Sequence, residues 1–340
     1  MARVSNGTLR DMFTFISHNS SRAYWLTRRH DGGGLPIACD VSLADATASA
    51  REVRRAIVAL RGRNPLHAAL GQKLDILVPS SNGRHPCADV RMHLCKRSLP
   101  EGSFAALSPD VLVASPELCF LQMAESLDVL GEVVELGFEL CGTYAFGPDG
   151  RTLAGSRPPL TSVARIAGYL DRCAGVRGVA KARSALRWVM DGSASPMETL
   201  LAMELGMPKR LGGRGFPPFV VNRRIELPDE HLRGLAQRSR VYVDLLFEHQ
   251  GLCLEFDSFE HHGGREEYDN TQARANALRS MGLRVNSITY GQVASLARFD
   301  DLVWGLETQL GLRHRPCGDS TRARQRELHA LLADVRRRHF

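Results

Sequence analysis

Asp244, Glu255 and Asp257 fall on two short runs of strand character, V-Y-V-D-L-L-F and G-L-C-L-E-F-D. Side chains alternate along a strand, so Glu255 and Asp257 project from one face while Leu252, Leu254 and Phe256 point the other way. Two carboxylates on one face, with a third on the neighbouring strand, offer all-oxygen ligation to a hard divalent cation such as Mg²⁺, or Mn²⁺ in its place. Such an ion activates water and stabilises the charge that builds up when a phosphodiester is cut. Each residue also has a structural reading. Glu255 and Asp257 could pair with Arg240, Arg274 or Arg284, and Asp244 sits in an apolar strand where a carboxylate without a partner is costly to bury.

The elements that must position these groups follow in a legible order from Ser195 onward. A helix opens at S-P-M-E-T-L-L-A-M-E-L-G, and a Gly/Pro/Arg-rich stretch leads to the strand V-V-N-R-R-I-E-L. The two acidic strands come next, then a helix over about 266–281 that Gly282 ends, a strand L-R-V-N-S-I-T, and a helix over about 292–310. Helix, three strands, helix, strand, helix predicts a mixed sheet flanked by helices, an α/β layered architecture. Glu198 lies three residues after Ser195 with Pro196 between them, which is also the pattern of a capping box.

Ahead of this region, residues 1–72 read as mainly helical and as a candidate DNA-binding segment, with A-T-A-S-A-R-E-V-R-R-A-I-V-A-L-R the best helix. Residues 73–190 read as α+β: strands at D-I-L-V and V-R-M-H-L, then a helix announced by Ser115 as N-cap and Pro116 at its first position. Further helices are expected over about 131–141 and 161–190, with 147–160 a loop. The C-terminal α/β domain is placed at 191–312, and 313–340 as a basic helix with arginines at 336–338.

The 340 residues can bury a sizeable core, and 44% apolar content is ordinary for a globular chain. No run approaches the ~20 apolar residues that span a bilayer, and the N-terminus lacks the apolar core of a secretory signal, so the expected location is cytoplasmic. The formal charge is +7, carried mainly by arginine, with lysine only at 73, 96, 181 and 209. Arginine bias reflects GC-rich coding as readily as function, but a basic surface also suits a polyphosphate partner. Eight cysteines without a C-x-x-C pair read as buried thiols of a reducing compartment; a zinc site could be assembled only from distant residues, for example Cys87, His93 and Cys95.

Over about residues 190–312 the chain resembles the restriction-endonuclease-like PD-(D/E)xK superfamily, closest to an uncharacterised branch related to very-short-patch-repair endonucleases. The blocks S-P-M-E-T, R-V-Y-V-D-L, L-E-F-D-S-F-E-H-H and R-A-N-A-L-R-S-M-G-L-R-V carry the resemblance. It implies Asp244 and Glu255 as metal carboxylates, Asp257 where many relatives place lysine, and Glu198 as a further metal ligand from the helix. His261 and His262 match a histidine that follows the acidic strand, as general acid/base or leaving-group stabiliser, and Arg274, with Arg240, would contact nucleic acid. Two departures stand out: no lysine follows Lys209, and Ser258 replaces a common glycine.

The stretch V-L-V-A-S-P-E-L-C-F-L-Q-M-A, within about 85–145, resembles the core of AbiEi-type antitoxin and regulator proteins. The expectation is thus a metal-dependent endonuclease acting on nucleic acid, DNA first, with an N-terminal targeting region. The alternatives are a non-catalytic DNA-binding regulator on a degenerate nuclease fold, and a toxin–antitoxin component that works through a protein partner.

Overall fold

A computed structural model describes residues 13–27, 38–39, 43, 46, 58, 73–80, 90–147, 151–153, 157–257 and 265–332. The chain separates into two compact units, one of Met1–Val133, Ala145–Gly150 and Leu160–Leu186, the other of Val134–Tyr144, Arg151–Pro159 and Arg187–Phe340. Both combine a mixed sheet with helices, so the expected α/β class holds. No helix among the described residues is long and apolar enough to cross a membrane.

The first unit is built on a six-stranded sheet of β1 (Thr14–Ile16), β2 (Ala38–Cys39), β3 (Leu74–Val78), β4 (Val90–Leu94), β5 (Phe104–Ser108) and β6 (Val111–Ala114), in the order β2-β5-β6-β1-β3-β4. β1 is parallel to β6 and antiparallel to β3, while β3 and β4 run parallel in the register Leu74↔Val90 to Val78↔Leu94. The segment 1–72 therefore gives this sheet strands as well as the helix α1 (His18–Leu26); its best helix candidate from the sequence falls almost wholly outside the described residues.

Helix α2 (Pro116–Ser126) runs through the middle of this unit, with every residue from Pro116 to Ala124 buried. Its start is as the sequence spells it: Ser115 Oγ accepts a hydrogen bond from Leu118 N–H at 3.2 Å, and Pro116 opens the first turn. Phe15 and Phe104 meet edge to face at 4.5 Å, and Trp25 donates its indole N–H to Ala114 O at 2.7 Å. Each such aromatic removes a large apolar area from water, and the one polar group among them, the indole N–H, is satisfied. Helix α3 (Leu130–Cys141) passes into the second unit from Val134, the short strand β7 (Ala145–Phe146) belongs to the first unit and β8 (Thr152–Leu153) to the second, and helices α4 (Val163–Arg172) and α5 (Val179–Leu186) lie in the first. The 147–160 segment, expected as a linker or loop, thus contains the short strand β8.

In the second unit α6 (Pro196–Gly206) precedes β9 (Val220–Glu226), α7 (Glu230–Ala236), β10 (Arg240–Phe247), β11 (Leu252–Asp257), α8 (Arg265–Ser280) and β12 (Arg284–Thr289). The sheet order is β12-β11-β10-β9, antiparallel from β9 to β11 and parallel between β11 and β12. A parallel neighbour needs a crossover of a dozen or more residues, and α8 supplies it. Leu227, Ala236, Val241, Val243, Leu246, Cys253, Ala277 and Leu278 form the core that joins α7 and α8 to the sheet. Gly282 (φ +83°) ends α8 as expected, in the left-handed conformation glycine adopts without a Cβ clash. The chain closes with α9 (Tyr290–Val293), α10 (Leu296–Gln309) and α11 (Asp319–Leu331).

Candidate functional site

β10 and β11 pair through Phe247↔Leu252, Leu246↔Cys253 and Leu245↔Leu254. The next step of the register sets Asp244 across from Glu255, and there the ladder changes character. The Asp244 carboxylate accepts the Phe256 backbone N–H at 2.7 Å, and the Asp244 backbone N–H faces the Glu255 carboxyl closely enough to lower its pKa. A side-chain oxygen is the acceptor there, and the β10–β11 register ends at Leu245↔Leu254, so the strands fork at this pair. On the other flank the β9–β10 pairing passes from Val243↔Arg223 to Leu245↔Val221. Asn222, between those partners, has φ +47° and ties its side-chain amide to Gly192 O at 2.9 Å. Asparagine is one of the few residues that tolerate this backbone region. β11 meanwhile stays paired with β12 through Glu255↔Ser287 and Asp257↔Thr289.

Like charges directly across a strand pair repel, and the site shows it. Burial pushes the Glu255 carboxyl up to about 8, with the neighbouring Asp244 charge adding to the rise; the Arg274 guanidinium and the Asp244 N–H oppose it. Asp244 keeps some exposure as a residue, yet desolvation of its carboxyl end pushes it up to about 6 against the Phe256 N–H and Arg274. Glu198 lies well above the usual carboxylate range, first through burial and then through the Asp244 charge, with Glu255 a smaller contributor. Three carboxyl groups therefore share one field in which full ionisation is unfavourable.

The partners of each sequence candidate are specific. Arg274 on α8 reaches Glu255 Oε2 at 3.5 Å, and Glu255 Oε1 is buried without a hydrogen-bond partner. Glu198 serves as a helix cap: its N–H donates to Ser195 Oγ at 3.1 Å and its Oε2 accepts Ala194 N–H at 2.8 Å. Asp257 occupies the same strand as Glu255, two residues on, beside Thr289. Arg240 is exposed on β10 opposite Glu226, and Arg284 donates to the backbone oxygens of Gln309 and Gln250. His261 and His262 lie outside the described residues, as does Cys87; His93 is held by Asp75 at 2.7 Å.

Among the described residues no group of three or more His, Cys, Asp or Glu side chains is arranged to hold a metal ion. Two carboxylates, Asp244 and Glu255, are brought together; Glu198 joins them electrostatically while engaged in its cap. Sequence reading missed Asn222, whose place opposite Asp244 has no signal beyond an asparagine inside a strand. It also missed His18 and Asp75, drawn from segments far apart in the chain; a lone aspartate in the buried strand L-D-I-L-V was the available clue. No family model matches the chain, and neither curated proteins nor solved structures give a match.

Proposed function

We propose that the second unit is a Mg²⁺- or Mn²⁺-dependent nuclease that hydrolyses phosphodiesters in nucleic acid, DNA first, on a restriction-endonuclease-like PD-(D/E)xK core. The succession α6, β9, β10, β11, α8, β12, with α7 inserted after β9, is consistent with that core. The observation that carries the reading is the fork at Asp244 and Glu255, where two carboxylates meet with one buried oxygen, Glu255 Oε1, lacking a partner.

These residues fit a hard cation. Mg²⁺ keeps several waters and is commonly bound by one or two carboxylates together with substrate phosphate, so a preformed three-ligand cage is not required. Asp244 and Glu255 would hold it, and when bound it would lower the pKa of a water and offset charge on the scissile phosphate. Arg274, already 3.5 Å from Glu255, would exchange that carboxylate for a phosphate oxygen once Glu255 turns to the cation. Asp257 stands where a lysine would steady the attacking water; as a carboxylate it would take a proton from that water instead. The first unit would select the target.

The test is cleavage of a mixed panel of duplex and single-stranded DNA in Mn²⁺, with wild type compared to Asp244→Ala and Glu255→Gln. Both variants are expected to fall to background while Mn²⁺ affinity, read by calorimetry, is lost in parallel. Full metal-dependent cleavage by Asp244→Ala would remove the assignment. A second reading, a DNA-binding regulator on a degenerate nuclease fold, is favoured by the absence of any lysine after Lys209. It predicts duplex binding with no product in either metal.

A further inference from the structure

The first unit contains a cluster that the proposed nuclease chemistry does not use. His18 opens α1 with φ +46°, a region that non-glycine residues rarely occupy and that concentrates at functional positions. Hydrogen bonds hold it there. Its own N–H donates to Gln122 Oε1 at 3.0 Å, the preceding Ser17 N–H donates to Asp75 O at 2.9 Å, and Asp75 N–H donates to Ser20 Oγ at 2.9 Å.

The conformation sets the His18 ring flat against His93, centroids 3.5 Å apart and planes within 14°. His93 is fixed in turn by Asp75, whose carboxylate is 1% exposed and 2.7 Å from Nε2. Arg91 stands 3.6 Å from the same oxygen. Burial, with His93 and Arg91 adding to it, lowers His18 to about 3, so this ring is neutral. A buried carboxylate orienting one imidazole, with a neutral imidazole stacked on it, is a rigid construction for a place whose only task is packing.

Both rings line a cavity of about 720 Å³, within the range of small-molecule sites. Leu77, Met92, Leu118 and Leu121 give it apolar walls. Lys96, Arg97 and Arg177 supply positive charge at its edge, where Glu125 is the acidic residue and pairs with Arg177 at 3.1 Å. Among the described residues Lys96 and Arg97 have no acidic partner within salt-bridge distance.

We propose that this cavity, walled by the His18–His93 pair and edged by Lys96 and Arg97, binds a nucleotide-sized phosphate monoester, the phosphate on the two cations and the body against the imidazole and leucine walls. Cations without partners at one edge select an anion, and apolar and imidazole walls select a flat, weakly polar body behind it. The inference is independent of the nuclease reading, since all its residues belong to the first unit.

The probes are adenosine 5′-monophosphate, adenosine and inorganic phosphate, each titrated into the full chain by calorimetry while the histidine ring protons are followed by NMR. Saturable binding of the monophosphate is expected, with the His18 and His93 signals moving together. Lys96→Ala/Arg97→Ala should weaken it about tenfold or more, each lost phosphate contact contributing on the order of a charge-assisted hydrogen bond. Both side chains are exposed, so an unchanged melting temperature checks that the variant folds. Leu121→Trp, which fills the cavity from α2, should abolish binding without touching the cations. Absence of saturation by the monophosphate would overturn the proposal. So would binding that survives the double variant, or phosphate alone binding equally well with both histidine signals unmoved.

Discussion

Glu255 ties the stability of the second unit to pH. Its carboxyl is pushed up to about 8 chiefly by burial, whereas in the unfolded chain it would titrate near ~4.3. Between those values the folded protein binds the extra proton, so the stability this group allows is present at low pH and is lost as pH rises through about 8. Asp244, pushed up to about 6, acts in the same direction over a lower window. Glu255→Gln removes the titration and is expected to flatten the fall in melting temperature on going from about pH 5 to pH 8, with a gain of at most about 4 kcal/mol at the upper end, each tenfold displacement being ~1.4 kcal/mol. A divalent cation competes with those protons, so Mn²⁺ should raise the wild-type melting temperature more at about pH 8 than at about pH 6. A variant that melts with the wild-type pH profile would show that Glu255 ionises freely.

At the scale of the element, α6 decides between two uses of Glu198. Ser195 Oγ accepts the Glu198 N–H and the Glu198 carboxylate accepts the Ala194 N–H, and Ser195→Ala is expected to cost about 1 kcal/mol in urea unfolding. Glu198→Gln keeps an oxygen for the Ala194 N–H while removing a desolvated acid, so its stability should equal or exceed that of wild type. If cleavage nonetheless falls in Glu198→Gln, the residue serves the metal as well as the cap; if cleavage is kept, the cap is its role. This ambiguity was visible in S-P-M-E-T, because the same five residues spell both grammars. Part of the second unit was legible for a related reason: Ser195 and Ser295 stand as N-caps ahead of α6 and α10, and Gly282 ends α8. The helix α7 was missed although P-D-E-H-L begins it with Asp229 accepting His231 N–H; a seven-residue helix between two strands leaves no period to read. The fork at Asp244 was legible as to which residues, but not as to geometry. Nothing local to V-Y-V-D-L-L-F says that a carboxylate will take the Phe256 N–H from across the sheet. The His18–His93–Asp75 cluster was illegible because α1, β3 and β4 are joined only by the sheet order β1-β3-β4.

For the whole molecule, charge separates the readings that geometry leaves side by side. All but four of the 44 cationic residues are arginine, and the net +7 is a long-range field that one ion pair cannot cancel. If nucleic acid is the partner, binding must release counterions, and log affinity must fall linearly with log salt by about 0.9 per phosphate neutralised on duplex DNA. Asp244→Ala leaves the arginines in place, and on the proposed nuclease reading it would allow this to be measured without cleavage. Three contacts would weaken binding about fortyfold between ~50 and ~200 mM salt. Arg240 is exposed on the strand that leads into the fork, four residues before Asp244, so Arg240→Ala should lower the slope by about one and leave thermal stability unchanged. A nuclease and a non-cutting regulator share this salt law and part only on product. A protein that works through a protein partner shares neither, and affinity for DNA that is weak at ~50 mM salt and insensitive to further salt would leave that third reading standing against the other two.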